Sequence, residues 1–109
     1  MTRKIAVEES SGNVFADIGL PNPGERLAKA LLSRAISKAV KARGLTQLQA
    51  AAILGTTQPK VSDLMRGNLG SFTIGRLIRY LTALNMDVRI EVTPSASEGQ
   101  TGQVQVDLA

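Results

Sequence analysis

Between Gly55 and Gly67 the chain reads GTTQPKVSDLMRG, and its polar residues gather at the start of a short helical run. Thr57 is a helix-capping type, and Gln58, Pro59 and Lys60 follow it directly. The Gln58 amide can pair in bidentate fashion with an adenine edge, and the Lys60 ammonium can donate to guanine or to a phosphate. Pro59 lacks an N–H that the first turn of a helix leaves unpaired anyway, and it stiffens the start. Side chains of this kind at a helix N-terminus suit base edges and phosphates as partners, not a protein core.

Catalytic chemistry has little to work with. The chain contains no cysteine and no histidine, so it has no thiol nucleophile, no thiolate or imidazole metal site and no ordinary neutral-pH base. Of the nine carboxylates, Glu25, Asp63 and Glu91 fall in separate predicted elements. We therefore expect no catalytic residues, no metal and no cofactor, and read the chain as a non-enzyme. Aromatic residues make up 3% of the sequence, too few for stacking on single-stranded nucleic acid. The apolar runs are far short of a bilayer span, and the N-terminus is too polar for a signal peptide. A cytoplasmic protein without a membrane partner is expected.

The net charge of +4 conceals a strong pattern. Met1 to Glu25 sums to −2, Arg26 to Arg79 to +9 with Asp63 as its single acid, and Tyr80 to Ala109 to −3. A basic middle between acidic ends is the footprint of a surface facing a polyanion.

The 109 residues fit one domain, divided here into an N-terminal arm (1–21), a helical domain (22–85), a strand (86–93) and a flexible tail (94–109). NPGE predicts a helix start capped by Asn22, with Pro23 in its first turn and Glu25 three residues after the cap. This helix should run to Arg43, with Leu27, Leu31, Ala35, Ile36, Ala39 and Val40 as its apolar stripe and Gly44 as its stop. The second follows Thr46 and ends at Gly55, and the third follows Thr57 and ends near Gly67. A fourth, capped by Ser71, carries Ile74, Leu77, Ile78, Leu81 and Leu84 at helical spacing. MDVRIEV then alternates, with Met86, Val88, Ile90 and Val92 on one face, which predicts a β-strand.

The second and third helices are joined so tightly that they must cross closely. Ala51 is small where a larger side chain would push the third helix away, and Gly55 permits the positive φ that ends a helix abruptly. Leu48, Ile53, Val61 and Leu64 are expected to share the core. This is the helix-turn-helix arrangement, whose second helix enters the major groove by its N-terminal end.

The run LTQLQAAAILGTTQPKVSDLMRG resembles the helix-turn-helix of Xre-type, lambda-repressor-like regulators. The wider run from SGNVFADIGLPNPGERLAKA to FTIGRLIRYLTALNMDVRIEV is similar to a branch that includes HigA-type antitoxins of HigB/RelE toxin–antitoxin pairs. One departure is Thr56, which stands where the family usually has an apolar residue. The resemblance implies a mainly α fold: a lambda-repressor-like bundle of four to five helices with a C-terminal β-strand. It implies that Gln47 meets a phosphate, that Thr57, Gln58, Pro59, Lys60 and Ser62 present the groove face, and that Arg66 clamps the backbone at the far end. Asp63 would repel DNA, so it should turn to Arg66 or Lys60. Lys38, Lys41, Arg76 and Arg79 are either solvated charges or further phosphate contacts.

An unpaired strand after a helical domain invites pairing with a second copy. With a two-fold axis through Ile90, Arg89 faces Glu91 and Val88 faces Val92, so Val88, Arg89, Ile90, Glu91 and Val92 are the candidate homodimer contacts. The alternative partner for this strand is the VQVDLA tail. The leading functional expectation is a repressor of double-stranded DNA at a pseudo-palindromic operator, acting as the antitoxin of a RelE/HigB-like toxin and autoregulating its operon. The acidic segment around Glu8, Glu9, Phe15 and Asp17 is the candidate toxin contact. A stand-alone phage-type or chromosomal regulator, or a protein-interaction module without DNA binding, are the alternatives.

Overall fold

Short-range signals decide where each helix starts and stops. A computed structural model of the chain describes residues 23–96, 99 and 101–108. Among them are four helices: α1 (Pro23–Ala42), α2 (Gln47–Leu54), α3 (Gln58–Met65) and α4 (Ile74–Ala83). The N-terminal arm, the Asn22 cap and the acidic segment at Glu8, Glu9, Phe15 and Asp17 lie outside the described residues. None of the described helices is long and apolar enough to cross a membrane.

α1 carries Glu25 in its first turn and Lys41 in its last, charges that complement the helix dipole. Thr46 caps α2 through a reciprocal box: its hydroxyl accepts from the Gln49 N–H at 3.1 Å, and its own N–H donates to the Gln49 side chain at 2.9 Å. α2 ends on Gly55 at φ 72°, and both the Gly55 and Thr56 N–H groups donate to the Ala51 carbonyl. Thr57 caps α3, accepting from the Lys60 N–H at 3.4 Å. α4 is capped by Thr73, which accepts from the Arg76 N–H at 3.1 Å, and not by the expected Ser71. Both hydroxyls are competent caps, but Phe72 lies between them, and the turn that delivers its ring to the core ends one residue later.

Phe72, Ile36, Leu64, Leu77, Val40 and Val61 are the largest fully buried side chains. α4 packs on α1 and α2 on α3, with α1 also touching α3 and α2 touching α4. The face of α1 differs from the expected stripe. Ala28, Leu32, Ile36, Ala39 and Val40 are buried, whereas Leu27 is 60% exposed and Leu31 half-buried. Two apolar ridges run side by side along α1, and the 28/32/36/40 ridge is the one facing the other helices. Leu27 and Leu31 instead line a groove of about 310 Å³ with Gln103 to Asp107, and Val106 from this tail packs on the core.

Leu48 was expected in the core but is 65% exposed; α2 buries Ala50, Ala51 and Leu54, while Ile53 packs partly buried at the core's edge. Leu48 and Ala52 stand four residues apart on the outer face, and Ala52 is exposed as well. The predicted C-terminal strand is also absent: residues 86–95 form neither strand nor bridge. Alternation defines two faces of a segment, but a strand also needs a hydrogen-bonded neighbour, and the described residues supply none. Val88 packs partly buried against the core, whereas Met86, Ile90 and Val92 are exposed.

Two substitutions test this packing. A Cβ added at Gly55 meets nothing within 4 Å, so Gly55→Ala reports the left-handed backbone alone. It should cost about 1–2 kcal/mol in denaturant unfolding, with Gly55→Asn costing less. The Tyr80 hydroxyl is buried without a hydrogen-bond partner among the described residues. Tyr80→Phe should therefore leave the melting temperature unchanged or raise it, read by circular dichroism.

Candidate nucleic-acid interface

The turn at Gly55 determines which part of α3 faces outward. Val61 and Leu64 are buried, so the helix is held to the core by the middle and end of its length. Thr57, Gln58 and Pro59 are exposed at its N-terminus, and Lys60 and Ser62 are half-buried. Gln47 opens α2 at the positive end of that helix's dipole. Thr56 is half-buried and holds the turn through its N–H, at 3.0 Å from the Ala51 carbonyl.

Of the two partners expected for Asp63, the structure selects Arg66. The Asp63 Oδ1 accepts from the Arg66 guanidinium at 2.7 Å and, at 3.5 Å, from the Asn68 amide. Arg66 is 65% exposed, so it keeps donors available at the C-terminal end of α3.

Lys60 takes a course that sequence spacing did not suggest. Its Nζ donates to the Ser71 Oγ at 3.2 Å and lies 5.4 Å from the centre of the Phe72 ring, within range of a cation–π contact. Phe72 in turn meets Tyr80 edge to face, with centroids 6.2 Å apart and ring planes at 74°. Ser71 and Phe72 were missed as parts of this site. They lie eleven and twelve residues beyond Lys60, and no local pattern links the two stretches.

Other cations lie on two further surfaces. Arg34, Lys38, Lys41 and Arg66 rim an open groove of about 520 Å³ between α1 and the end of α3. Arg76 and Arg79 are exposed on α4. The candidate dimer residues, Val88 to Val92, fall in the segment after α4, outside the helix-turn-helix. Among the described residues no three His, Cys, Asp or Glu come together as a metal site.

Residues 14–93 match the family model of the helix-turn-helix domain. The chain belongs to this family. The matched stretch takes in all four helices and the segment to Thr93. A solved structure described as an XRE family transcriptional regulator is 35% identical and superposes with a TM-score of 0.72. The alignment covers 82% of this chain and 100% of that one. No curated protein matches the sequence. The helix-turn-helix read from the turn residues is thus shown by the family match as well as by the fold.

The Asp63–Arg66 pair is solvent-exposed, so Asp63→Ala should change unfolding free energy by less than about 1 kcal/mol. A loss well above that in urea melts would mean the carboxylate holds the end of α3 in place.

Proposed function

We propose that this helix-turn-helix protein is a sequence-specific double-stranded DNA-binding transcriptional repressor that acts by occupying a promoter, with no chemistry of its own. The observation that carries this reading is the N-terminus of α3, where Thr57, Gln58 and Pro59 stand exposed within the basic stretch from Arg26 to Arg79. Gln58 is the base-reading side chain at this end. Gln47 and Arg66 bracket it as phosphate contacts, and Ser62 lies along the same helix.

The protein acts as a homodimer in this reading. Met86, Ile90 and Val92 expose apolar surface, and antiparallel pairing about Ile90 sets Arg89 against Glu91 and Val88 against Val92. Two recognition helices then meet half-sites about 34 Å apart. Sedimentation at micromolar concentration should give a dimer; a monodisperse monomer contradicts this part.

The antitoxin role is the finer proposal and rests on the resemblance to HigA-type proteins. It requires a toxin-like gene beside the protein's own and a toxin that co-purifies with it. Absence of both leaves a stand-alone regulator.

DNA binding is tested by gel shift on the protein's own upstream DNA, with random DNA as competitor, at about 150 mM salt, near physiological ionic strength. The expected result is a specific complex that Gln58→Ala weakens by about 1–3 kcal/mol, with little change on random DNA. Equal, salt-sensitive binding to both DNAs contradicts specific repression.

A further inference from the structure

We propose that the groove between α1 and the end of α3 is a docking site for an acidic peptide segment of a partner protein, anchored by a leucine-like side chain, and that the chain's own tail is its resident stand-in. A segment seated there engages Arg66, so its binding opposes DNA binding. Only this last link rests on the repressor reading above.

The groove combines charge with an apolar wall. Arg34, Lys38 and Lys41 stand along one side, at positions i, i+4 and i+7 of α1, and Arg66 stands at the end of α3. All four are exposed, and no carboxylate of the described residues lines the groove. Leu64 and Met65 supply apolar lining. Ser37 lies beside them and donates its hydroxyl to the Met65 sulfur at 3.1 Å, a weak acceptor that a carboxylate oxygen outcompetes. The three cations of α1 spread over about 10 Å of helix axis. That spacing suits separate carboxylates along a peptide better than the single head group of a small molecule. Small-molecule sites also enclose their ligands, and this groove is open.

The tail indicates which side chain the groove takes. Leu108 lines it, and Asp107 precedes Leu108 in the sequence. The tail's hold is slight. Val106 packs on the core, but Val104 and Leu108 are 40% and 49% exposed, and residues 103–108 form no strand or bridge. A partner segment with a fully seated leucine and carboxylates on both sides of it buries more apolar surface and meets more of the cations. Arg66 already gives one donor to Asp63 at 2.7 Å. A carboxylate in the groove takes others that a DNA phosphate would use.

The test uses the full chain and a fluorescein-labelled peptide, EDLLED, with EDSSED as its control of equal charge. Anisotropy and amide shift mapping are read for both, with thermal melts of every variant. EDLLED should bind and shift Ser37, Lys38, Met65 and the tail from Val104 to Leu108, with Gln58 unmoved. EDSSED should bind about fivefold more weakly. The double variant Lys38→Glu/Lys41→Glu should weaken EDLLED by about tenfold. Leu108→Ser removes the resident side chain and should tighten EDLLED by about two- to fivefold. EDLLED should also lower the affinity of the wild type for its upstream duplex, and lose that effect in the double variant. Equal binding of the two peptides, or shifts centred on Thr57 to Ser62, marks general attraction to the basic face and overturns the inference. So does Leu108→Ser binding no tighter than the wild type. If the upstream duplex, and not the peptide, shifts Ser37 and Met65, the groove belongs to DNA; the inference falls and the repressor reading stands. If the peptide binds as expected while the wild type does not prefer its upstream duplex, the repressor reading fails and the docking site stands.

Discussion

The structure depends on one backbone constraint, the left-handed residue at Gly55. With φ at 72°, it stops α2 and turns the chain so that α3 begins three residues later at Gln58. The Ala51 carbonyl accepts from both N–H groups of the turn, so the end of α2 is satisfied without a side chain. Ala50 and Ala51 are buried beneath it, and their small side chains let α3 approach. Val61 and Leu64 then lock α3 to Phe72, Leu77 and the other core residues. Once the inner side of so short a helix is committed, Thr57, Gln58 and Pro59 at its start are left exposed.

Features that rest on a few neighbouring residues were legible in the sequence. Thr46, Thr57 and Gly55 act as caps, and Asp63 pairs with Arg66, because each of these interactions closes within five residues. The charge pattern was equally visible, since it depends only on counting. Choices between equivalent local options were less so. Ser71 and Thr73 are both capping types, and only the delivery of Phe72 to the core selects Thr73. The two ridges of α1 are similarly apolar, and only the packing of the other helices decides that Ala28 and Leu32 go inside while Leu27 does not.

Long-range contacts were the least visible. Alternation from Met86 to Val92 marks two faces, yet strand formation needs a neighbour that this segment lacks among the described residues. Lys60 and Ser71 meet because the loop folds back on α3, a closure that no spacing rule contains. The same closure divides the cations into groups. Lys60 is restrained against the protein, Arg66 donates to Asp63, whose carboxylate also accepts from Asn68, and Arg34, Lys38 and Lys41 join Arg66 around the groove between α1 and the end of α3. Net charge describes the attraction of the basic middle for a polyanion, and this partition describes how that attraction is directed.

The central claim is that the N-terminal end of α3 is the surface presented to duplex DNA. Amide chemical-shift mapping of isotope-labelled protein, titrated with a duplex of its own upstream DNA, tests this most directly. The account predicts the largest shifts at Gln47, from Thr57 to Ser62, and in the loop at Ser71, with little change along the N-terminal half of α1. Shifts confined to the segment after α4 or to the outer face of α1, with α3 unmoved, would contradict it.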